Sequence, residues 1–505
     1  MGTSTYTCKG GEKLQKQILA TNYKLFIDGE WVESGTGETF PSVNPAHPEK
    51  VLGLFQKGNA EDVDRAVVAA EEAFEKWSSI PPPKRGEILL RAAQLLRERK
   101  EELARLVTTE MGKVIAEGRG DVQEAIDMAE YMAGEGRRLF GHTTTSELPD
   151  KFCMTVRRPI GVVGLITPWN FPIAIPAWKI FPALIAGNTI VFKPSSDTPL
   201  CATKLVELLN DAGVPRGVVN LVTGSGFEVG GTMVKHDRIR AISFTGHKDT
   251  GKWILENAGL KRVGLELGGK NGIIVMDDAD LGLALDGVIW GAFGTTGQRC
   301  TAASRVIVHE KVMDKFEEML LERTKKLRLG DGLDTGTDVG PLINEAAVEK
   351  SKRYTDIGVN EGARMRCGGK TPEMEGYFYE PTIFTDASID MRISQEEIFG
   401  PLVTLIPVHS LDDAIDAVNS IEYGLSSSIY TKDVNRAFRA IERIEAGITY
   451  VNSSTIGAEV HLPFGGIKQT GNGTREAGIE GINEFTEIKA VYIDYSGKLQ
   501  RAQID

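Results

Sequence analysis

Cys300 lies in Gly294-Thr-Thr-Gly-Gln-Arg-Cys-Thr-Ala, a glycine-rich polar stretch with a basic neighbour, Arg299. Such a setting suits a nucleophile, because N–H groups or a cation can help an exposed thiol to ionise. The plain alternative is a packed thiol, as Cys201 is expected to be on its aliphatic helix. Glu266 stands among uncharged neighbours, Leu265, Leu267, Gly268 and Gly269. Burial would raise its pKa toward the range of a general base, and a salt-bridged structural carboxylate is the competing reading. Asn170, in Pro168-Trp-Asn-Phe-Pro172, either aims an amide N–H at a developing oxyanion or makes a turn between two prolines.

Two glycine-rich segments invite a phosphate. Gly224-Ser-Gly226-Phe-Glu-Val-Gly230 is one residue too long for the G-x-G-x-x-G dinucleotide fingerprint, and such a segment is most often only a turn. Phe244-Thr-Gly246-His-Lys-Asp-Thr-Gly251 follows a strand pattern and opens a helix pattern, where free backbone N–H groups can meet an anion. Either signal alone is weak.

The elements that must carry these residues alternate. Short strands fill 22–59, with Asp28-Gly29 as a hairpin signal. Val63, Ala66, Val67, Ala70, Phe74 and Trp77 share one helix face, and Pro81-Pro82-Pro83 ends that helix. Long helices are then expected over about 84–110 and 117–140. From 160 onward, strands 161–166, 189–193, 218–222 and 241–244 alternate with helices near 176–186, 200–212 and 229, the second stopped by Gly213. A second alternating unit has strands starting at Gly272, Arg305, Val403 and Thr449. Its helices are expected at about 281–293, 311–328, 345–361, 411–420 and 432–445. This spacing predicts parallel sheets wrapped by helices, with a ligand crevice near Glu266-Leu-Gly-Gly-Lys270 where the two units meet.

Composition limits the function classes. A chain of 505 residues has room for about three domains and a sizeable core. Its formal net charge of −12 argues against nucleic acid or anionic membrane as partners. The uncharged run Pro159 to Trp178 is long enough to span a bilayer, but its four prolines break a helix ladder, so it reads as a buried strand and turn. Cys8, Cys153, Cys201, Cys300 and Cys367 show no C-x-x-C spacing and the seven histidines no H-x-x-x-H pair, so neither a metal site nor a disulfide framework is expected. Lys9, Glu12, Lys13 and Lys16 interrupt the N-terminus and no apolar signal region is seen, which makes a reducing cytoplasm the expected setting.

Taken in order, Pro168-Trp-Asn-Phe-Pro172, Lys193-Pro194, Phe244 through Gly251, Glu266-Leu-Gly-Gly-Lys270, Gly297-Gln-Arg-Cys300, Glu397-Ile-Phe-Gly-Pro401 and Pro463-Phe-Gly-Gly466 resemble the aldehyde dehydrogenase superfamily, over roughly residues 20–495. The resemblance implies an α/β fold: two open α/β domains with parallel-rich sheets plus a β oligomerisation arm. It implies a cofactor-binding domain over 1–142 and 160–268, a catalytic domain over 269–470, and an arm over 143–159 and 471–505 that builds a dimer or tetramer. Within the arm, a strand near 143–158 would pair with one near 485–496. It further implies that the Cys300 thiolate attacks an aldehyde, that Asn170 and the Cys300 N–H hold the oxyanion, and that Glu266 activates water. Lys179 matches a proton-relay position, or else it snorkels from a helix end. NAD or NADP would contact Ile166, Trp169, Lys193, Ser196, Gly226, Gly246, His247, Gly251, Leu267, Glu397 and Phe399. Substrate would contact Phe171, Trp178, Arg299, Thr301, His461 and Phe464.

This chain departs from the family pattern in two places. Ser196 stands where NAD-preferring relatives have a glutamate, and a serine can donate to a 2′-phosphate that a carboxylate would repel, so NADP is expected to be accepted; Asp197 next door opposes this. His247 stands where relatives have a serine. Arg299 resembles the arginine of semialdehyde-oxidising branches, such as 2-oxoglutarate semialdehyde dehydrogenases, whose substrates carry a distal anion that a guanidinium binds bidentately. Phosphorylated aldehydes suit the same cation, and an arginine paired with a structural carboxylate is the alternative. Competing functions are a broad-specificity aldehyde dehydrogenase, a CoA-acylating enzyme and a redox-silent structural member. The presence of Glu266 argues against acylation to CoA, which brings its own thiol, and with Cys300 against the silent member.

Overall fold

The chain was described as a computed structural model covering residues 21–504. Cys8, residues 1–20 of the expected cofactor-binding domain and residue 505 of the expected arm lie outside them. Two seven-stranded sheets dominate. The first runs Arg262–Glu266, Ala241–Thr245, Val162–Ile166, Thr189–Lys193, Val219–Leu221, Leu25–Ile27, Glu30–Val32. Its first five strands are parallel, and the hairpin around Asp28-Gly29 adds the two antiparallel ones. The second runs Arg364–Cys367, Thr382–Thr385, Leu402–Val408, Ala303–His309, Asn271–Val275, Ser426–Tyr430, Ile448–Val451, and is parallel apart from Arg364–Cys367.

Helices cover these sheets because their apolar stripes have nowhere else to go. Helix Ala60–Ser79 starts at a capping box, Asn59 with Asp62, and buries Val63, Ala66, Val67, Ala70 and Trp77. The uncharged run becomes the fully buried strand Val162–Ile166, a turn, and the start of helix Ala174–Ala186. No helix among the described residues is long and apolar enough to cross a membrane.

The single helix read over about 84–110 is two, Pro82–Glu98 and Lys100–Met111, broken at Arg99 (φ −99°, ψ 13°). The helix read to 140 stops at Glu135, beside Gly134 and Gly136. Near Val229 a π turn, Gly226–Gly230, precedes the short helix Gly231–Lys235. Gly213 takes φ +92° one residue past the cap of helix Pro199–Asp211, as a helix stop requires. Strand Thr486–Asp494 pairs antiparallel with Lys151–Pro159, which also carries Thr143–Thr145, forming a separate three-stranded sheet.

Candidate active site

The loop before Cys300 is held in a conformation that its residues would not choose alone. Thr295 and Thr296 both take left-handed φ, 52° and 58°. β-branched residues are rare there, so surrounding contacts must enforce it. Thr295 N donates to Glu117 Oε1 at 2.9 Å, and Thr296 Oγ1 donates to the Gly340 carbonyl at 2.8 Å. Gln298 accepts from Ile343 N at 2.9 Å, while its carbonyl accepts from Asn170 Nδ2 at 3.1 Å. Asn271 Nδ2 holds the Cys300 carbonyl at 2.7 Å. The nucleophile loop is thus clamped from helix Ile115–Glu135, from 340–343, from the turn that holds Asn170 and from strand Asn271–Val275.

Cys300 sits where two cavities meet. One, of about 260 Å³, is lined by Trp169, Asn170, Gly246, His247, Leu267, Lys350, Glu397 and Phe399 among others. The second, of about 70 Å³, is lined by Phe171, Trp178, Glu266, Arg299, Thr301 and Phe464 together with Glu124, Ile456, Ala458 and Glu476. Ile175, Thr245, Leu267 and Cys300 belong to both.

The electrostatics of Cys300 differ from the sequence expectation. Burial, with Glu266, Glu397 and Glu476 nearby, pushes its thiol up to about 12, opposed by the Thr301 N–H. An N–H helper is present, but the cation expected from Arg299 is engaged elsewhere: Nη2 donates to Glu117 Oε1 at 3.0 Å and Nε to Thr295 Oγ1 at 2.8 Å. Glu266 is buried with both carboxyl oxygens unpartnered, and burial beside Glu476 raises its pKa well above the usual carboxylate range. An unpaired buried carboxyl of this kind is destabilising, a cost that functional sites commonly carry. Lys179 is buried, donates to Ser243 Oγ at 2.8 Å and forms an ion pair with Glu476. The snorkelling alternative is therefore excluded.

Around the larger cavity, Trp169 and Phe399 meet edge to face at 5.5 Å, and Phe399 itself takes φ +61°. Glu397 accepts from Gly269 N at 2.9 Å. A Cβ on Gly268 would stand 2.3 Å from Glu397 Oε2, so only glycine leaves this carboxylate its place. Lys193 is buried, its Nζ donates to the Pro194 carbonyl at 2.7 Å, and burial lowers its pKa to about 8. Ser196 Oγ donates to the Gly224 carbonyl at 2.9 Å. Asp197 is tied to Ser195 Oγ and Asn344 Nδ2, each at 3.2 Å. Ile166 and Lys193 approach each other over Gly230, and Gly251 packs on Leu267. Gly226 opens the π turn, and His247 caps helix Lys248–Asn257 through its ring nitrogen.

His461 is not brought to the site. The chain from Glu459 to Leu462 turns outward, and the exposed imidazole lies 3.5 Å from Glu459. Three charged lining residues escape the sequence reading, Lys350, Glu124 and Glu476, as does Ile175, which lines both cavities. Lys350 and Glu124 sit in charged helical stretches that look like solvated faces. Glu476 meets Lys179 across 297 residues, for which no local signal exists.

A clamped thiol thus lies between a cavity lined in part by Gly246, Gly268 and Glu397 and a second lined in part by Glu124, Glu266 and Glu476. The sequence pattern of the aldehyde dehydrogenase family matches residues 31–491, and the chain belongs to that family. It is 42% identical over 478 residues to the alpha-ketoglutaric semialdehyde dehydrogenase of Bacillus subtilis, covering 93% of this chain and 98% of that protein. Crystallised betaine aldehyde dehydrogenase from Staphylococcus aureus, in complex with NAD+, superimposes with a TM-score of 0.92 at 38% identity, covering 94% of this chain and 95% of that one. An NADP-dependent enzyme from Escherichia coli gives 0.91 at 40% identity, covering 95% and 100%.

Proposed function

We propose that this chain oxidises an aldehyde to the carboxylic acid with NAD or NADP, and that the aldehyde is a semialdehyde carrying a distal anion. The observation that carries the reading is the position of Cys300 at the junction of the two cavities. The larger one would take the nicotinamide half of a dinucleotide, with Lys193 and Ser196 outside it for the adenosine half. Lys193 spends one hydrogen bond on Pro194 and keeps donors for ribose hydroxyls, and Glu397 offers a carboxylate beside a glycine that gives it room. Phe399 and Trp169 supply an aromatic wall. Ser196 spends its hydroxyl proton on the Gly224 carbonyl, but it sets no carboxylate against a 2′-phosphate and Asp197 is already engaged, which supports acceptance of NADP.

Chemistry then follows from the residues around the sulfur. Cys300 Sγ gives its thiol proton to Glu266, which passes it to solvent before the hydrolytic step, and forms a bond to the aldehyde carbon; the resulting oxyanion is met by the Cys300 N–H and the second N–H of Asn170 Nδ2, whose first holds Gln298. One such preorganised donor is worth about 2.7–4 kcal/mol in the transition state. What the bound nicotinamide supplies is a hydride acceptor, so that a thioester remains on Cys300. Glu266 takes a proton from water as its oxygen attacks that thioester, the C–S bond breaks, and the acid leaves. Burial beside Glu476 raises the Glu266 pKa above the usual carboxylate range, which makes it a stronger base than an exposed carboxylate.

Arg299, stacked 5.3 Å from the Phe171 ring, is the cation of the smaller cavity and the reason for choosing an anionic tail. The Bacillus subtilis relative, named for alpha-ketoglutaric semialdehyde, agrees with this class. A second reading, an aldehyde bearing a distal cation, is favoured by Glu124 and by the aromatic pair Trp178 and Phe464 at 5.4 Å. We assign the sheet made by Lys151–Pro159 and Thr486–Asp494, with exposed Phe152, Ile488 and Tyr492, to homo-oligomer assembly. The free thiols Cys153, Cys201, Cys300 and Cys367 suit a reducing cytoplasm. The test is kcat/KM for anionic, neutral and quaternary-ammonium aldehydes with each cofactor, with and without CoA. A preference for the quaternary aldehyde would replace the first reading by the second, and turnover that requires CoA would overturn both.

A further inference from the structure

Glu117, Asp121 and Glu124 stand at i, i+4 and i+7 on helix Ile115–Glu135, so one face of one helix turns three carboxyls toward the site. Each reaches a different part of it. Glu117 accepts from Thr295 N at 2.9 Å and from Arg299 Nη2 at 3.0 Å, and so holds the loop that carries Cys300. Glu124 lines the smaller cavity. Asp121, between them, reaches the segment that carries Asn170: its Oδ1 accepts from Ile173 N at 3.3 Å and from Ala174 N at 2.7 Å. That segment has little to hold it by itself. Pro168 and Pro172 offer no N–H, and helix Ala174–Ala186 receives no side-chain cap from Ile173, the residue before it. Asp121 supplies the missing acceptor, at a helix end where negative charge is favoured. Its Oδ2 accepts from Lys113 Nζ at 2.9 Å, and neither side chain of this pair is exposed. The same Nζ lies 3.6 Å from the centroid of the Phe171 ring, a contact that desolvation strengthens. Lys113 and Asp121 thus grip the turn on both sides of Pro172, by an aromatic face and by two backbone N–H groups, immediately after Asn170.

We propose that Lys113 and Asp121 are positioning residues for the oxyanion donor: they fix the turn from Asn170 to Ile173 so that the second N–H of Asn170 Nδ2 stays aimed at the carbonyl oxygen of a bound aldehyde. The inference rests on the oxyanion reading above. Asn170 Nδ2 gives one N–H to the Gln298 carbonyl at 3.1 Å, which sets the plane of the amide, while the turn sets where that amide stands. Glu117 and Asp121 are one helical turn apart, so the nucleophile loop and the oxyanion turn are fastened to the same rigid rod and kept in register with each other. A buried ion pair adds little to stability over a well-packed apolar pair of the same shape, so the pair's effect falls on geometry. Displacing the turn would lengthen the hydrogen bond that strengthens as the carbonyl oxygen gains charge. The loss therefore falls on thioester formation and spares reactions of the sulfur that build no oxyanion.

The test uses the full-length enzyme and two readouts. Single-turnover formation of NAD(P)H at saturating enzyme and cofactor reads thioester formation, and alkylation of Cys300 by iodoacetamide reads the sulfur without an oxyanion. Asn170→Ala must slow the single turnover by about a hundredfold; if it does not, the oxyanion reading itself fails, whatever Lys113 does. Lys113→Met is expected to slow the single turnover about tenfold and to leave the alkylation rate unchanged. Placed in the Asn170→Ala background it should slow the turnover by less than about twofold more, because the donor it positions is gone. If Lys113→Met does not fold, Lys113→Met combined with Asp121→Asn leaves no buried charge, keeps an amide oxygen for the Ile173 and Ala174 N–H groups, and carries the same expectations. A single turnover at the wild-type rate in these variants would overturn the proposal. So would losses that multiply with that of Asn170→Ala, or an equal slowing of turnover and alkylation, since these mark a general distortion of the site.

Discussion

Arg299 and Glu117 form an ion pair at 3.0 Å with both side chains nearly buried, so the cation of the substrate cavity is oriented before any substrate arrives. Such preorganisation makes a guanidinium a selective receptor, because little rotamer entropy remains to be lost on binding. Arg299→Ala is expected to raise KM for an anionic semialdehyde by on the order of tenfold to a hundredfold, the worth of a charge-assisted hydrogen bond. A neutral aliphatic aldehyde should be almost unaffected. Equal losses for both would mean that Arg299 serves only the Cys300 loop.

Glu124 shares that cavity and makes no hydrogen bond or ion pair among the described residues, while burial and Asp121 push its carboxyl up to about 7. Below that pH it is neutral and can donate to an anionic tail; above it the charge opposes Arg299. KM for an anionic semialdehyde should therefore rise as pH increases from 6 to 8. Glu124→Gln should flatten the rise and hold the low value. A KM profile identical in both proteins would remove Glu124 from recognition.

Cofactor choice is expected to depend on Ser196. Placing a carboxylate there sets a like charge against a 2′-phosphate, which costs several kcal/mol. Ser196→Glu is thus expected to cut kcat/KM for NADP by about a hundredfold while NAD changes little. If wild-type enzyme already prefers NAD by more than tenfold, the serine is not what admits NADP.

The thiol of Cys300, pushed up to about 12, is protonated at neutral pH without ligands. Its raised pKa means that the thiolate fraction grows with each pH unit and does not level off below about 10. Iodoacetamide inactivation should show that continuous climb, absent in Cys300→Ala by mass spectrometry of the alkylated peptide. A plateau near pH 8 would show that another group activates the sulfur.

Beneath the site, Lys113 and Asp121 are paired at 2.9 Å with neither side chain exposed, and Asp121 also accepts from Ile173 N and Ala174 N, where helix Ala174–Ala186 begins. Asp121→Ala leaves a buried cation alone and is expected to cost about 3–5 kcal/mol in urea denaturation. A loss below about 1 kcal/mol would mean that water reaches Lys113.

Much of this was legible in the sequence where the cause is local. Strand Thr189–Lys193 and helix Leu281–Phe293 fall where apolar runs and turn residues put them. The break at Arg99 is not legible, because neither glycine nor proline marks it. Cys300, Glu266 and Asn170 stand out through unusual neighbours, and the structure brings them to one junction. Glu124, Lys350 and Glu476 do not stand out, because their roles depend on contacts made by distant segments. His461 misleads for the reverse reason: a polar residue beside lining positions belongs to a loop that bends away.

One consequence concerns the order of departures. The sulfur is a threshold between two chambers that share Ile175, Thr245 and Leu267 as walls, so on the proposed mechanism a dinucleotide and an acyl group would lie on opposite sides of it. On that mechanism a reduced cofactor would be free to go while the acyl chain stayed tethered, leaving the vacated side open to water.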